Sequence, residues 1–276
     1  MFFTEWINSP LIQSVIISPL VGAVLGCLFS AFTSPVSASA PVTVEQTKII
    51  FVQKIIIQQR GGYKREDNPL AYVFGLVFMV AGILWGYSRY VNDILYYWAT
   101  GLLSSGTFIL SAGIVSAIRG QFHSPEWGWY IFTPLIAVAV AFWLIQFAVA
   151  GIIPGMREVA LRHNVLDFYF NVLKDTHRGW LMMQVSGVLL GIIATLIAVL
   201  RSVYYFALMS QRAGGALFIF WRLCAWHTRY VAGTGGLLLL VFCLGASYIM
   251  LDGYAYLLWQ NFNLILTRHL QTAFVS

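Results

Sequence analysis

Charged residues are what this sequence has least of. Only 9% of its 276 residues are Asp, Glu, Lys or Arg, whereas 59% are hydrophobic. Soluble domains carry roughly 25% charged residues, so this composition excludes a large water-facing surface. It suits a lipid-facing one, because hydrocarbon solvates an apolar exterior. The net charge of +6 is typical of Lys and Arg in loops that meet anionic lipid, and we expect no nucleic acid as a direct ligand.

The sequence is also poor in residue patterns that bind metals or catalyse reactions. The three cysteines, Cys27, Cys224 and Cys243, lie far apart in the chain, which argues against a disulfide framework and a cysteine metal site. The five histidines show no metal-ligand spacing with one another or with a carboxylate. The sequence has no Gly-rich phosphate loop, no G-x-S-x-G motif and no H-E-x-x-H motif. We therefore expect no enzyme, no metal site and no cofactor.

Long apolar segments dominate instead, and six of them reach the roughly 20 residues that a membrane-spanning helix needs. They are residues 11–32, 70–90, 94–118, 127–153, 181–209 and 236–259. The predicted fold is an all-α polytopic membrane protein with about six transmembrane helices. Its first segment, 1–35, is a transmembrane helix that is retained rather than cleaved as a signal peptide, and a polar loop follows in 36–69. Residues 70–153 form a three-helix transmembrane unit, and 154–180 form an interfacial helix. Residues 181–276 contain two transmembrane helices, a re-entrant or interfacial segment and a short tail.

Two of the connecting segments have patterns of their own. Residues 43–59 are rich in β-branched side chains, which favours a strand, although an interfacial helix is the alternative. A lone strand is not stable in water, so this one would pair with another subunit. In 154–180, Val159, Leu166, Phe170 and Leu173 can share one helical face, and this pattern predicts an amphipathic helix on the membrane surface.

The distribution of Lys and Arg predicts the orientation. More of them fall on the side of the loop that follows the first span, which places that loop in the cytoplasm by the positive-inside rule. Both termini are then periplasmic, in a bacterial inner membrane. The basic residues of 154–180 argue against this orientation.

Small residues recur at every fourth position of the first span, where they form a stripe. They are Ser14, Ser18, Gly22, Gly26 and Ser30. In lipid, small residues let helix backbones approach closely. The stripe therefore predicts a helix contact, either within the chain or between copies in a homo-oligomer.

Polar residues form a second line, on the third predicted span. Asp93, Tyr97, Thr100, Ser104, Thr107 and Ser111 follow one another at spacings of three and four, so they share a helix face. The line either faces water in a pore, with Asp93 as a mouth charge, or its hydroxyls bond to backbone and to neighbouring helices.

Two further charges fall in or beside predicted spans. Asp252 lies within the sixth and Arg201 near one end of the fifth. A carboxylate in hydrocarbon is costly and must pair or face water. Arg201 is a candidate partner, although the predicted topology places the two toward opposite membrane surfaces.

These features favour an oligomeric channel or pore-like assembly. The alternative is a membrane-anchored sensor, scaffold or effector subunit of a bacterial multi-protein system, such as anti-phage defence or secretion, that recruits a cytoplasmic protein partner. A secondary transporter is disfavoured, because such proteins usually carry several midplane charges and internal repeats.

Overall fold

The structure, a computed structural model, describes residues 16–31, 69–118, 125–212 and 218–275. These residues are almost entirely helical. Those ranges contain no strand. The predicted strand at 43–59 lies outside them. The helices are α1 (Ser18–Ala31), α2 (Pro69–Ile118), α3 (Pro125–Ala150), α4 (Met156–Arg162), α5 (Val165–Asp167), α6 (Asp175–Arg212), α7 (Phe218–Thr228), α8 (Gly233–Leu251) and α9 (Tyr254–Val275).

Four helical segments are long and apolar enough to cross a membrane. They are Leu76–Ile118, Gly128–Ala150, His177–Leu208 and Gly233–Leu251. Their outer surfaces keep large apolar side chains exposed, for example Leu238 at 66% and Phe242 at 67%. A soluble monomer rarely exposes so much contiguous apolar surface. The helices are therefore compatible with an integral membrane protein, as the composition predicts.

The second and third predicted spans are continuous in α2 but meet at a kink. Tyr90, the last residue of the second predicted span, has non-helical geometry, with φ −114° and ψ 19°, whereas 91–93, where we expected a turn, are helical. Val91-Asn92-Asp93 contains neither Gly nor Pro, and Asp93 is exposed, so nothing there ends a helix. The count of six spans is not confirmed.

The sixth predicted span is broken near its end. α8 stops at Leu251, Gly253 adopts a left-handed φ of 88°, and α9 begins at Tyr254. A glycine readily takes this conformation just after a helix, so Asp252-Gly253 is a turn. Asp252 is exposed in that turn and does not lie inside a spanning helix, which corrects the sequence prediction.

The single amphipathic helix predicted over 154–180 is instead a series of short pieces. α4 ends at Arg162 and α5 continues into a π-helical turn, Phe168–Val172, before α6 begins. Extended backbone at His163 and Leu173 separates the pieces and rotates their faces. As a result Leu173 is buried, whereas Leu166 and Phe170 stay about half exposed, so these residues share no single apolar face.

The segment at 210–235 is helical where the structure describes it. α7 has 11 residues, a length of about 16 Å, and is too short to span. Trp221 within it is 1% exposed, and a 3₁₀ turn, Arg229–Val231, joins it toward α8. α7 therefore packs one face within the protein, whereas its other tryptophan, Trp226, is 44% exposed. Re-entrant or interfacial placement stays a prediction.

The chain divides into two compact units. The first comprises Met1–Asp67, Trp98–Ala141 and Ala194–Leu240, and the second comprises Asn68–Tyr97, Phe142–Ile193 and Val241–Ser276. Each unit contains close aromatic contacts. In the first unit the Tyr130 and Tyr205 rings lie 4.6 Å apart, and in the second the rings of Trp143 and Tyr248 stack at 5.6 Å.

Candidate functional site

The small-residue stripe of α1 packs against part of the hydroxyl line of α2, within the first unit. Ser18 Oγ donates to Thr100 O at 2.6 Å. A Cβ added to Gly22 would lie 2.9 Å from the Ser104 carbonyl carbon, and closer still to the Ser104 oxygen and to Thr107 Oγ1. The two patterns, predicted separately, therefore form one contact inside the chain.

The contact continues one turn further along both helices. A Cβ on Gly26 would lie 2.6 Å from Phe108 O and closer still to Ser111 Oγ. Since residue numbers rise together on both sides of the contact, α1 and α2 run parallel here. Ser30 belongs to α1, and Ser14 lies outside the described residues. Only residues without a side chain, or with a very small one, allow this approach.

The hydroxyls of the line bond to backbone. Thr107 Oγ1 donates toward Leu103 O at 2.9 Å and Ser104 O at 3.0 Å, and Ser111 Oγ donates to Phe108 O at 3.1 Å. This is the usual way in which an apolar helix satisfies a hydroxyl. Asp93 and Tyr97 belong to the second unit, where both are exposed. The structure gives these residues helix packing and surface positions, and pore lining stays a prediction.

Arg201 is 1% exposed and bonds to main-chain carbonyls in the first unit. Its Nη1 donates to Gly233 O at 2.7 Å and to Val231 O at 3.3 Å, and its guanidinium lies 5.4 Å from the Tyr205 ring centroid. Gly233 has a left-handed φ of 78°, and the chain here enters α8. Arg201 therefore supplies donors where the helix ladder is interrupted.

The end of α3, in the second unit, is held in a similar way. Gln184 Nε2 donates to Ala148 O at 2.8 Å, and Trp180 Nε1 donates to Gly151 O at 2.9 Å. Both donors come from α6. The last carbonyls of a helix have no partner in their own ladder, and in hydrocarbon each would be costly to leave unpaired. These two side chains satisfy them.

A third carbonyl contact holds α4 to α2. Trp85 Nε1 lies 3.0 Å from both Ala160 O and His163 O, which end α4. Beyond α4, His163 Nδ1 contacts Asp167, and Asn171 Nδ2 donates to Asp167 Oδ1 at 2.8 Å. Those two hydrogen bonds, first from Asn171 and then from His163, lower the pKa of Asp167.

A small cavity lies beside these contacts in the second unit. It has a volume of about 20 Å³, room for about one water molecule, and its mostly apolar lining comes from α2, the α3–α4 connection, α4 and α6. The polar lining residues are Tyr87, Ser88, Arg157 and Gln184. The first two and Gln184 are at most 6% exposed, whereas Arg157 is exposed and brings a positive charge to the opening.

The Tyr87 hydroxyl is the unusual group of this cavity. It is buried and has no hydrogen-bond partner in the described part of the chain. The other buried polar side chains here are engaged, since Ser88 Oγ donates to Leu84 O at 2.8 Å and Gln184 bonds at Ala148. The Tyr87 hydroxyl is therefore an unsatisfied donor within the packed interior of the second unit.

Sequence reasoning missed all four polar lining residues. Gln184 carried a usable signal, because an amide inside an apolar run must find a partner. Tyr87 gave none, since a tyrosine near a span end is explained by the aromatic belt. Comparison with protein families, with characterised proteins and with solved structures finds no match to this chain. The cavity is therefore interpreted from its own geometry.

Proposed function

We propose that this chain is a membrane-embedded sensor or scaffold subunit that recruits a cytoplasmic protein partner, with no catalytic activity of its own. One observation carries the proposal: the hydroxyl line of α2 faces the glycines of α1 in the same chain. A pore needs such hydroxyls in contact with water. Here they contribute instead to a packed pair of helices, which suits a protein that holds a fixed shape in the membrane.

Energetics support the same choice. To expose Thr107 or Ser111 to water, α1 would have to leave its contact with α2. The hydrogen bonds of both hydroxyls lie within α2 and would remain, whereas the close packing at Gly22 and Gly26 and the hydrogen bond from Ser18 to Thr100 would be lost. Membrane helix contacts of this kind depend on close packing and on hydrogen bonds worth about 0.6 kcal/mol on average.

An oligomeric channel is the second candidate, and the position of Asp93 favours it. This carboxylate is exposed, and it is one of two charged residues, with Arg89, in the apolar range 76–118. A charge there must meet water, lipid headgroups or another chain. If copies assembled around this face, Asp93 and the exposed Tyr97 would lie toward the assembly axis and attract cations.

Ion flux from reconstituted liposomes separates the two candidates. The proposal predicts that wild-type protein passes no more ions than empty liposomes, with and without a membrane potential. A channel predicts flux that Thr107→Leu reduces. Ser105→Ala is the matched control, because Ser105 Oγ bonds to Gly101 O at 2.6 Å and lies off the hydroxyl line. Flux that falls in Thr107→Leu and persists in Ser105→Ala would replace the scaffold with the channel.

The partner is tested separately through loop 33–69. We expect a cytoplasmic protein to copurify in a fixed ratio with wild type and to be lost when residues 43–59 are replaced by a Gly/Ser linker of equal length. The replaced protein must still reach the membrane with an unchanged melting temperature. Identical recovery of the partner with both proteins would contradict recruitment through this loop.

A further inference from the structure

α9 leaves the packed part of the second unit soon after the Asp252-Gly253 turn. Every residue from 257 to 265 is exposed. The large apolar side chains of this stretch are each more than half exposed: Leu257, Leu258, Trp259, Phe262, Leu264 and Ile265. So much apolar surface on one helix marks a contact with something beyond the described part of the chain.

The first turn of α9 lies level with the ends of two spanning helices. Trp180 marks this level, because its indole nitrogen donates to Gly151 O, directly after the α3 span. The same indole ring would lie 3.0 Å from a Cβ added to Gly253, which follows the α8 span, and it meets the Tyr256 ring edge-on at 5.5 Å. α9 therefore starts at a membrane surface, the depth at which Trp and Tyr side chains concentrate.

Three courses are open to a helix that starts there. Crossing the bilayer would place Gln260 and Asn261, and the later Arg268, in hydrocarbon, where polar and charged side chains are costly. Projecting into water would hydrate all the large apolar side chains of 257–265 and forfeit the free energy of their burial. Only a course along the membrane surface gives both groups a suitable environment.

The spacing of residues in α9 matches this third course. Leu258, Phe262 and Ile265 follow one another at spacings of four and three, so they share one helix face. Gln260 and Leu264 are each two residues from Phe262, about 200° around the helix, and lie on the far side. Phe262 and Leu264 are both 59% exposed, so they differ in the face they occupy and not in their exposure.

We propose that α9 lies along the membrane surface as an interfacial anchor. Its partner is the lipid at the boundary between headgroups and acyl chains, which covers the face of Leu258, Phe262 and Ile265. The 22 residues of α9 would extend over about 33 Å of that surface. The anchor is independent of the proposed scaffold function, because a channel could carry it equally well.

Nitroxide labels test this course in the full chain, reconstituted in phospholipid vesicles. Each label is attached through a single p-acetylphenylalanine, so the native cysteines stay in place, at Leu258, Gln260, Phe262 or Leu264. Oxygen concentrates in lipid and a nickel chelate concentrates in water, so the collision rates of a label with the two reagents report its surroundings. Labels at Leu258 and Phe262 should collide more with oxygen, and labels at Gln260 and Leu264 more with the chelate.

Three results would overturn the anchor. Four labels that all favour the chelate would place α9 in water, and four that all favour oxygen would place it across the bilayer. Labels at Leu258 and Phe262 that both reagents fail to reach, with spin–spin broadening that unlabelled protein dilutes away, would show that a second copy of the chain covers the face. Because these positions are exposed, the labelled proteins should melt as wild type does.

A pair of variants tests which face makes the contact. Phe262→Asn should lower the oxygen collisions of the Leu258 label and raise its collisions with the chelate, because the apolar face loses its central side chain. Leu264→Asn is the matched control, with equal exposure on the far side, and should leave the Leu258 label unchanged. Equal shifts in the two variants would contradict a lipid contact through the face of Phe262.

Discussion

The contact between α1 and α2 gives the sharpest prediction, through Gly26→Val. A Cβ at this position would lie 2.6 Å from Phe108 O and 3.1 Å from Ala112 N, whereas ordinary contacts begin at 3.4 Å. The Ser111 hydroxyl is closer still, but a change of its rotamer would not relieve these two backbone contacts, because backbone atoms cannot rotate away. α1 must therefore move outward by nearly 1 Å for the Cβ alone, and further for the two valine methyl groups.

The magnitude follows from two opposing effects. Overpacking a close contact costs about 1–3 kcal/mol. Replacing Gly in a helix recovers part of this, up to about 1 kcal/mol for Ala and less for a β-branched residue such as Val. Gly26→Ala could therefore change stability in either direction, whereas Gly26→Val should be destabilising by about 1–3 kcal/mol. The hydrogen bond from Ser18 to Thr100 would be weakened as well.

Equilibrium unfolding in mixed micelles, followed by tryptophan fluorescence, measures this loss. Hydrogen exchange of the α1 amides should rise in the same variant, since α1 is the element that must move. The controls are Gly82→Val and Gly86→Val in α2, where an added Cβ meets nothing within 4 Å. They should stay within about 0.5 kcal/mol of wild type. Equal loss in controls and variant, or unchanged stability of Gly26→Val, would refute the packed contact.

Three further predictions concern the polar contacts. Arg201→Met should lower the melting temperature, because two carbonyls lose their donor at about 1–3 kcal/mol each for a buried group; an unchanged melting temperature would show that water replaces the guanidinium. Trp85→Phe should cost about 1 kcal/mol and increase exchange in α4, whereas Trp129→Phe, at an exposed site, should do neither. The pKa of Asp167 is lowered in the folded state, so its carboxylate contributes to stability above the ordinary carboxyl pKa, and this contribution is lost as pH falls through the folded-state pKa. Asp167→Asn should therefore remove the acid-dependent change in hydrogen exchange near His163. Identical pH profiles of exchange in the variant and in the wild type would contradict this prediction.

The sequence predicts the helices that end at strong signals. The span expected at 127–153 is observed as α3, and the one at 181–209 lies within α6, because Ser-Pro and aromatic residues mark their boundaries. The break at Asp252-Gly253 was missed although Asp-Gly is a common turn signal. Hydropathy averaged over a window hides a single turn between two apolar helices.

The α1–α2 contact shows why a candidate site is harder to predict than its helices. The stripe through Gly22 and the line through Thr107 were both visible in the sequence as patterns of a single helix. Which surface each one meets is a property of the pair, and neither pattern encodes it. The spacing of residues identifies which face of a helix is unusual. Only the fold shows that the glycine face of α1 leaves the space that the hydroxyl face of α2 occupies.

The same distinction explains the polar residues of this protein. Arg201, Gln184 and Trp85 lie in apolar surroundings, where composition alone favours a functional charge or a transport path. Each donates instead to carbonyls near the end or start of a neighbouring helix, because breaks in membrane helices expose carbonyls that no water can satisfy. Helix breaks thus account for the donors. The Tyr87 hydroxyl has no such carbonyl. It is a buried donor that lacks an acceptor. The Nε of Arg201 is likewise buried without a partner among the described residues, so helix breaks explain which carbonyls these side chains bind but do not satisfy every donor that the fold buries.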